Sequence, residues 1–256
     1  VLDAGTGIRP LGLSLTEEFK QKALNITLLI THTHWDHIQG FPFFKPAYDP
    51  RNQVRILGYE GARASLASTL AGQMESPYFP ISLQQMPGNL KIEELREMTF
   101  HVGKVYVTTC FSKHPGVCVG YRLHTAAGSI VYLPDNEWSD AETEASQVEP
   151  CTQENVLLDF IRGADVVILD AQYDRDEYDT HKGWGHGCVD EVVRLAQMGD
   201  VKRLFLFHHD PEHNDEFVHK LVEKARELAR AGGTPLQVDA AREGERIVLK
   251  APKAAG

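Results

Sequence analysis

The sequence predicts a mixed α/β fold, and three observations carry that expectation. Short, partly β-branched apolar runs of strand length recur at 26–30, 53–58, 165–170 and 202–207. Stretches with helical spacing alternate with them. Between Thr99 and Leu133 the pattern changes to the β-rich runs VYVTTCF, VCVGYRL and SIVYL, separated by Pro115-Gly116 and Ala127-Gly128, which reads as a series of hairpins. A chain of 256 residues can bury a sizeable core, and no repeat, low-complexity tract or linker divides it. Residues 1–256 are therefore read as a single domain.

Composition excludes several classes. No uninterrupted apolar stretch of about 18 residues exists to span a membrane. The formal charge of -10 repels polyanions at long range, so extended nucleic acid is disfavoured as a partner. Cys110, Cys118, Cys151 and Cys188 form no CxxC pair and read as reduced, mostly buried residues of a cytoplasmic protein.

In chain order, Asp3-Ala4-Gly5-Thr6-Gly7 reads as a strand end running into a tight turn, with Asp3 either an acceptor that orients a residue of the histidine-rich motif below or part of a surface turn. Thr16 to Leu24 suits a short helix capped by Thr16. The run Ile26 to Ile30 then delivers the segment THTHWDH. His32 and His34 are two residues apart, so in extended backbone their imidazoles share one face and can grip one ion. Asp36 and His37 follow where the chain turns, aimed at a second ion nearby. Three imidazoles and a carboxylate in six residues are a metal-binding pattern rather than core packing.

Phe41, Phe43 and Phe44 read first as core, and alternatively as a stacking surface for a flat substrate, with Phe41 the candidate contact. Gln53 to Gly58 is a strand and Glu60 to Met74 an Ala-rich helix. The proline-rich stretch from Ser76 to Leu90 is a candidate lid, with Tyr78 as a substrate contact. His114 stands in the first hairpin turn and Asp135 follows the strand Ile130 to Leu133, so one hairpin can present both to the same ions. Thr152 to Arg162 reads as a helix, Asp165 to Asp170 as a buried strand, and Cys188 to Met198 as a helix with His186 at its start. A histidine there would feel the helix dipole and give up its proton more readily. His181 and Trp184 are candidate substrate contacts. The strand Lys202 to Phe207 ends in His208, with His209 aimed at the opposite face. Glu216 to Ala231 is a helix closed by Gly232-Gly233, and Leu236 to Val238 and Arg246 to Leu249 are short strands.

THTHWDHIQG resembles the HxHxDH motif of the metallo-β-lactamase fold hydrolases, and His114, Asp135 and His208 follow in that family's order. The resemblance extends over nearly the whole chain. It implies a four-layer αβ/βα sandwich whose N-terminal pair of strands would precede Val1 and is missing here. It also implies two divalent metal ions, Zn2+ first and Mn2+, Fe2+ or Ni2+ as alternatives. One would be held by His32, His34 and His114, the other by Asp36, His37 and His208, with Asp135 bridging. Asp36 thereby counts among the catalytic groups as well as the ligands.

Asp170-Ala171-Gln172-Tyr173 resembles a segment of the ribonuclease Z-like branch that shortly precedes a catalytic histidine, here His186, 22 residues before His208. The implied activity is that of the ribonuclease Z-like and PhnP-like phosphodiesterases: hydroxide held between the metals attacks phosphorus while His186 protonates the leaving oxygen. The charge, and the lack of a long basic arm, favour a small cyclic or diester phosphate, such as a cyclic nucleotide, over tRNA 3′ processing. The alternatives are a lactone or carboxyl-ester hydrolase on the same metals and a non-catalytic metal or ligand sensor. Homodimers are common among such relatives.

Overall fold

The computed structural model describes residues 1–20, 22–59, 64–138 and 153–249. They divide into two compact units, Val1–Glu97 and Met98–Gly256, each built on its own sheet.

The first unit contains α1 (Ile8–Glu18), β1 (Asn25–Leu29), the short α2 (Trp35–Ile38), β2 (Gln53–Gly58), α3 (Leu66–Gly72) and β3 (Asn89–Glu94). Its three strands are parallel in the order β1-β2-β3, with Leu28 opposite Ile56 and Ile56 opposite Ile92. Leu28, Ile30, Val54 and Ile56 pack with Phe41, Phe44, Leu66, Leu70 and Met74 into one apolar cluster. Each such side chain contributes about 1.5–3 kcal/mol when fully buried, which fixes where β1 ends and the histidines begin.

Two expectations fail in this unit. The first helix is not Thr16 to Leu24 but α1, and Thr16 lies near its end with its hydroxyl donating to the Gly12 carbonyl at 2.7 Å. Pro10 falls in the first turn, where its missing N–H costs nothing. Gly12 is buried against Phe44 and Pro46, so tertiary packing overrides the low helix propensity of both residues. β3 was not anticipated, although Leu90 and Ile92 alternate with polar residues at strand period. Of the expected helix Glu60 to Met74, residues 60–63 lie outside the described residues and α3 occupies only Leu66–Gly72 of the rest.

The second unit contains β4 (Thr99–Val102), β5 (Val105–Phe111), β6 (Val119–Thr125), β7 (Gly128–Leu133), α4 (Gln153–Ile161), β8 (Val166–Asp170), α5 (Arg175–His181), α6 (Val189–Met198), β9 (Arg203–Phe207), α7 (Asp215–Ala231) and β10 (Gln237–Ala240). The sheet runs β10-β9-β8-β7-β6-β5-β4. β5 to β7 form the expected hairpins, β4 adds one more antiparallel strand beside β5, and β7 to β10 are parallel. Val189, Val192, Val193, Leu195 and Ala196 make one buried stripe on α6, and Leu221, Val222, Ala225 and Ala229 another on α7. Both join the core with Val167, Leu169, Leu204 and Leu206 of β8 and β9.

Because β7, β8 and β9 are adjacent and parallel, the residues at their carboxyl ends converge. In open α/β sheets this is where ligands bind. α5 was not anticipated, yet it carries a capping box in which Asp174 and Glu177 bond each other's backbone N–H. Arg246 to Leu249 is not a strand, and Val248 is 70% exposed. Thr152 and Cys151 lie outside the described residues, and Cys110, Cys118 and Cys188 are buried. No helix among the described residues is long and apolar enough to cross a membrane.

Candidate metal centre

In the first unit β1 stops at Leu29, and the chain turns at Thr31 under the control of Asp3. Asp3 Oδ1 accepts from the Thr31 backbone N–H at 2.7 Å, while Oδ2 accepts from the Thr31 hydroxyl at 2.8 Å and from His37 Nδ1 at 2.9 Å. Asp3 is 6% exposed and adopts a positive φ of 52°, a conformation an aspartate tolerates better than most residues. The sequence-based role for Asp3, orienting a motif residue, is what the geometry provides.

The four motif side chains gather tightly. The His32 ring centroid lies 4.5 Å from that of His34 and 4.2 Å from that of His37. Asp36 Oδ2 is 3.0 Å from His37 Nε2. His32 and His37 are buried, whereas His34 and Asp36 are exposed.

In the second unit Asp135 follows β7, His208 follows β9 and His114 lies in the turn after β5. Asp135 Oδ2 stands 3.6 Å from His114 Nε2 and 3.5 Å from His208 Nε2, with Asp135 only 1% exposed. Asp135, His186 and His208 offer ligand atoms that all lie within 4.8 Å of one another. The His186 ring stacks on His208 at 4.7 Å and meets His114 edge-on at 5.1 Å. His208 has a positive φ of 57°, so the chain bends as it leaves β9. His209 lines a cavity with His213 and His219.

One correction concerns His186. α6 begins at Val189 with Cys188 as its N-cap, so His186 lies outside the first turn and the helix dipole is not what acts on it. Its Nδ1 instead lies 2.8 Å from Oδ2 of the fully buried Asp170. Burial pushes the Asp170 carboxyl up from its ordinary range, against the opposing hydrogen bond from His186.

The donors fit divalent metal ions. His114 Nδ1 donates to the Gly185 carbonyl at 3.0 Å, His208 Nδ1 to Gln172 Oε1 at 3.2 Å, and His37 Nδ1 to Asp3. With Nδ1 protonated, each ring presents the lone pair of Nε2, the arrangement metal-binding histidines use. The two distances to Asp135 Oδ2 match the roughly 3.4 Å edge of a tetrahedron with metal–ligand bonds of about 2.1 Å.

Of the candidate substrate contacts, Phe41 is 0% exposed in the apolar cluster of the first unit, so the packing alternative holds for it and for Phe44, whereas Phe43 is 54% exposed. Tyr78 is 81% and Trp184 59% exposed, so both offer ring surface to solvent. His181 stacks on Tyr173 at 4.6 Å and meets Trp184 edge-on at the same distance. Sequence reasoning missed the roles of Asp170, Gln172 and Asp210. Gln172 binds His208 through its carbonyl and donates to Asp210 at 2.9 Å through its amide nitrogen, a relay between residues 36 and 38 positions apart that no local pattern marks.

Comparison with known proteins agrees with this geometry. Residues 1–209 match the beta-lactamase superfamily domain. The chain is similar to ribonuclease Z of Thermoplasma acidophilum, 24% identical over 235 residues covering 78% of this chain and 73% of that protein. It is 26% identical to ribonuclease Z of Haloferax volcanii over 234 residues, again 78% and 73% of the two chains. Among solved structures, the metallo-beta-lactamase fold protein YhfI from Bacillus subtilis superposes with a TM-score of 0.64 at 16% identity, covering 95% of this chain and 85% of that one. A diphosphatase from the PhnP family gives 0.60 at 20% identity, with coverage of 98% and 81%. Human tRNase Z, short form, gives 0.59 at 18% identity, with coverage of 97% and 87%. The chain belongs to the beta-lactamase superfamily domain family, with the α/β metallo-β-lactamase fold on two sheets and the donor set of a metal-dependent hydrolase.

Proposed function

We propose that this protein is a binuclear phosphodiesterase that hydrolyses a small cyclic or diester phosphate, a cyclic nucleotide being one such substrate. The observation that carries the reading is Asp135, a buried carboxylate whose Oδ2 lies at nearly equal distances from His114 Nε2 and His208 Nε2. A carboxylate so placed suits a bridge between two ions. In the ligand set proposed here, His32, His34 and His114 hold one ion, and Asp36, His37 and His208 the other. That both units serve one hydrolase domain belongs to the same proposal, and Zn2+ suits the His/Asp ligands best.

When bound, such ions supply Lewis-acid polarisation of a phosphoryl oxygen and acidify water near neutral pH. The remaining steps fall to the chain itself. His186, held at Nδ1 by Asp170, presents Nε2 and donates its proton to the leaving oxygen. Trp184 offers an exposed ring against which a flat substrate group can stack, and Tyr78 is the corresponding candidate in the first unit. Phe41 has no part in this reading, because it is buried.

A tRNA 3′ endonuclease is the second reading, favoured by the names of the curated relatives. The charge of -10 weighs against a long polyanionic substrate.

Turnover of the metal-reconstituted protein on bis(p-nitrophenyl) phosphate, p-nitrophenyl phosphate and a simple lactone, beside His186→Ala, tests the proposal. Diester cleavage that collapses in the variant supports it. Lactone turnover without diester cleavage overturns it in favour of a carboxyl-ester hydrolase, and metal binding with no turnover on any ester favours a sensor.

A further inference from the structure

Two residues beyond Asp135, the side chain of Glu137 is nearly enclosed, with the residue 5% exposed. Its carboxylate gathers donors from one turn and one helix. Gly183 N–H reaches both oxygens, at 2.9 Å and 3.0 Å, and Gly185 N–H donates at 2.9 Å. The Tyr178 hydroxyl donates at 2.9 Å. The turn therefore wraps around a single buried anion. Gly183 and Gly185 have φ of 85° and 90°, conformations that glycine alone adopts without strain.

The same turn faces the metal-binding histidines. The Gly185 carbonyl accepts from His114 Nδ1 at 3.0 Å, and His186 is the next residue. The approach is close enough that a Cβ on Gly185 would lie 2.6 Å from His114 Nδ1 and 2.4 Å from Pro115. Between Asp135 and Glu137, Asn136 ties the chain beside His114 to Asp170: its Oδ1 accepts from Lys113 N–H at 3.0 Å and its N–H donates to Asp170 at 3.1 Å. Asp135, Asn136 and Glu137 thus reach, in sequence, the candidate bridge, the His114 turn with Asp170, and the His186 turn.

We propose that Glu137 is a positioning residue for both histidines: its carboxylate fixes the Gly183–Gly185 turn so that the Gly185 carbonyl sets the His114 ring and His186 is delivered beside Asp170. A buried carboxylate is costly unless its oxygens are fully hydrogen-bonded, and the set here is complete enough to offset that cost. An amide of the same shape cannot replace it. Its NH2 group would face a donor, leaving part of the turn unbonded. The roles of His114 and His186 rest on the function proposed above; the hold on the turn does not.

The test compares metal-reconstituted wild type with Glu137→Gln, Glu137→Asp and, as a structural control, Asn214→Ala, which removes the N-cap of α7, a helix that carries none of the Glu137 donors. The expected result for Glu137→Gln is a fall of about 10–100-fold in kcat on bis(p-nitrophenyl) phosphate and in Zn2+ affinity, measured by competition with a chromophoric chelator. KM stays within about twofold, because the loss is one of orientation rather than substrate binding. Amide exchange at Gly183 and Gly185 accelerates. Asn214→Ala lowers the thermal midpoint but leaves kcat and Zn2+ affinity near wild type. Wild-type kcat and Zn2+ affinity in Glu137→Gln overturn the proposal, as does an equal loss in Asn214→Ala. Should Glu137→Gln not fold, Glu137→Asp, with its carboxylate withdrawn by one methylene, decides by the same readouts. If the wild type cleaves no diester, the proposed function fails by itself, and Zn2+ affinity with glycine exchange still decides the role of Glu137.

Discussion

Asp170 Oδ2 and His186 Nδ1 stand 2.8 Å apart, and Asp170 is completely buried. Its other contacts are backbone N–H groups, from Asn136 at 3.1 Å and from Gln172 at 3.1 Å, so the carboxylate is fixed before it meets the histidine. The pair therefore sets the tautomer and the direction of the ring. An amide at this position can donate where the carboxylate accepts, which would turn the imidazole over. Asp170→Asn is expected to lower kcat by on the order of 10²–10⁴, the range of general-acid contributions, with metal content unchanged. Steady-state kinetics alongside metal analysis checks this, and an Asp170→Asn enzyme at wild-type kcat would show that His186 needs no such partner.

Removing the metal should loosen the protein as well as silence it. His32, His34 and His37 crowd together in the first unit, as His114, His186 and His208 do beside Asp135 in the second, and a bound cation stabilises the folded state through its affinity for that state alone. A ligand present at 100 times its Kd adds about 2.7 kcal/mol, and for a chain of this size each kcal/mol is worth roughly 2–4 °C. Dialysis against dipicolinate is therefore expected to lower the thermal midpoint by about 5–10 °C, with recovery on adding Zn2+. Identical midpoints before and after chelation would mean that these residues hold no ion tightly.

Asp3 is 34 positions from His37 and 28 from Thr31, yet it joins both. Replacing it with asparagine keeps the shape and leaves either Thr31 or His37 facing a donor. Loss of such a partner typically costs 10–100-fold in metal affinity, and Asp3→Asn is expected to lose Zn2+ affinity by about that factor while retaining the fold. Competition with a chromophoric chelator gives the affinity and circular dichroism the fold. Undiminished affinity would reduce Asp3 to a turn residue.

Those contacts also mark what a sequence can disclose. The strand at 26–30, its histidines, and the ligand-type residues at the ends of later strands were legible, because apolar runs of fixed period announce strands and dense imidazole has few uses other than metal. Asp135 could be found because it follows a clear strand. Glu137, Gln172 and the Asp170–His186 contact were not legible in their roles, since each depends on a partner 16 to 48 positions away. α1 was misplaced because Pro10 and Gly12 look like helix breakers until the first-turn position of one and the packing of the other are known. The capping box of α5 was present in the sequence as Asp174 and Glu177, the spacing that marks a helix start.

Gly40 offers a steric test of how Asp3 is brought to His37. The loop 3–7 and the segment 36–40 cross backbone to backbone: Ala4 N–H donates to the His37 carbonyl at 2.7 Å and Gly40 N–H to the Ala4 carbonyl at 2.8 Å. A Cβ on Gly40 would lie 2.0 Å from the Gly5 carbonyl oxygen and 2.8 Å from Ile8 Cγ2. Since the first obstacle is backbone, no rotamer change relieves it, and the two segments must part. Overpacking of this kind costs about 1–3 kcal/mol, or roughly 3–10 °C in thermal midpoint, and separation of the loops should also weaken the Asp3–His37 contact and with it Zn2+ affinity. Gly72, at the end of α3, provides the contrast: nothing lies within 4 Å of a Cβ placed there. Gly72→Ala should be neutral or slightly stabilising, because alanine has less backbone entropy to lose in a helix. If Gly40→Ala matches Gly72→Ala in both midpoint and metal affinity, the close crossing of the two loops is not what holds Asp3 against His37.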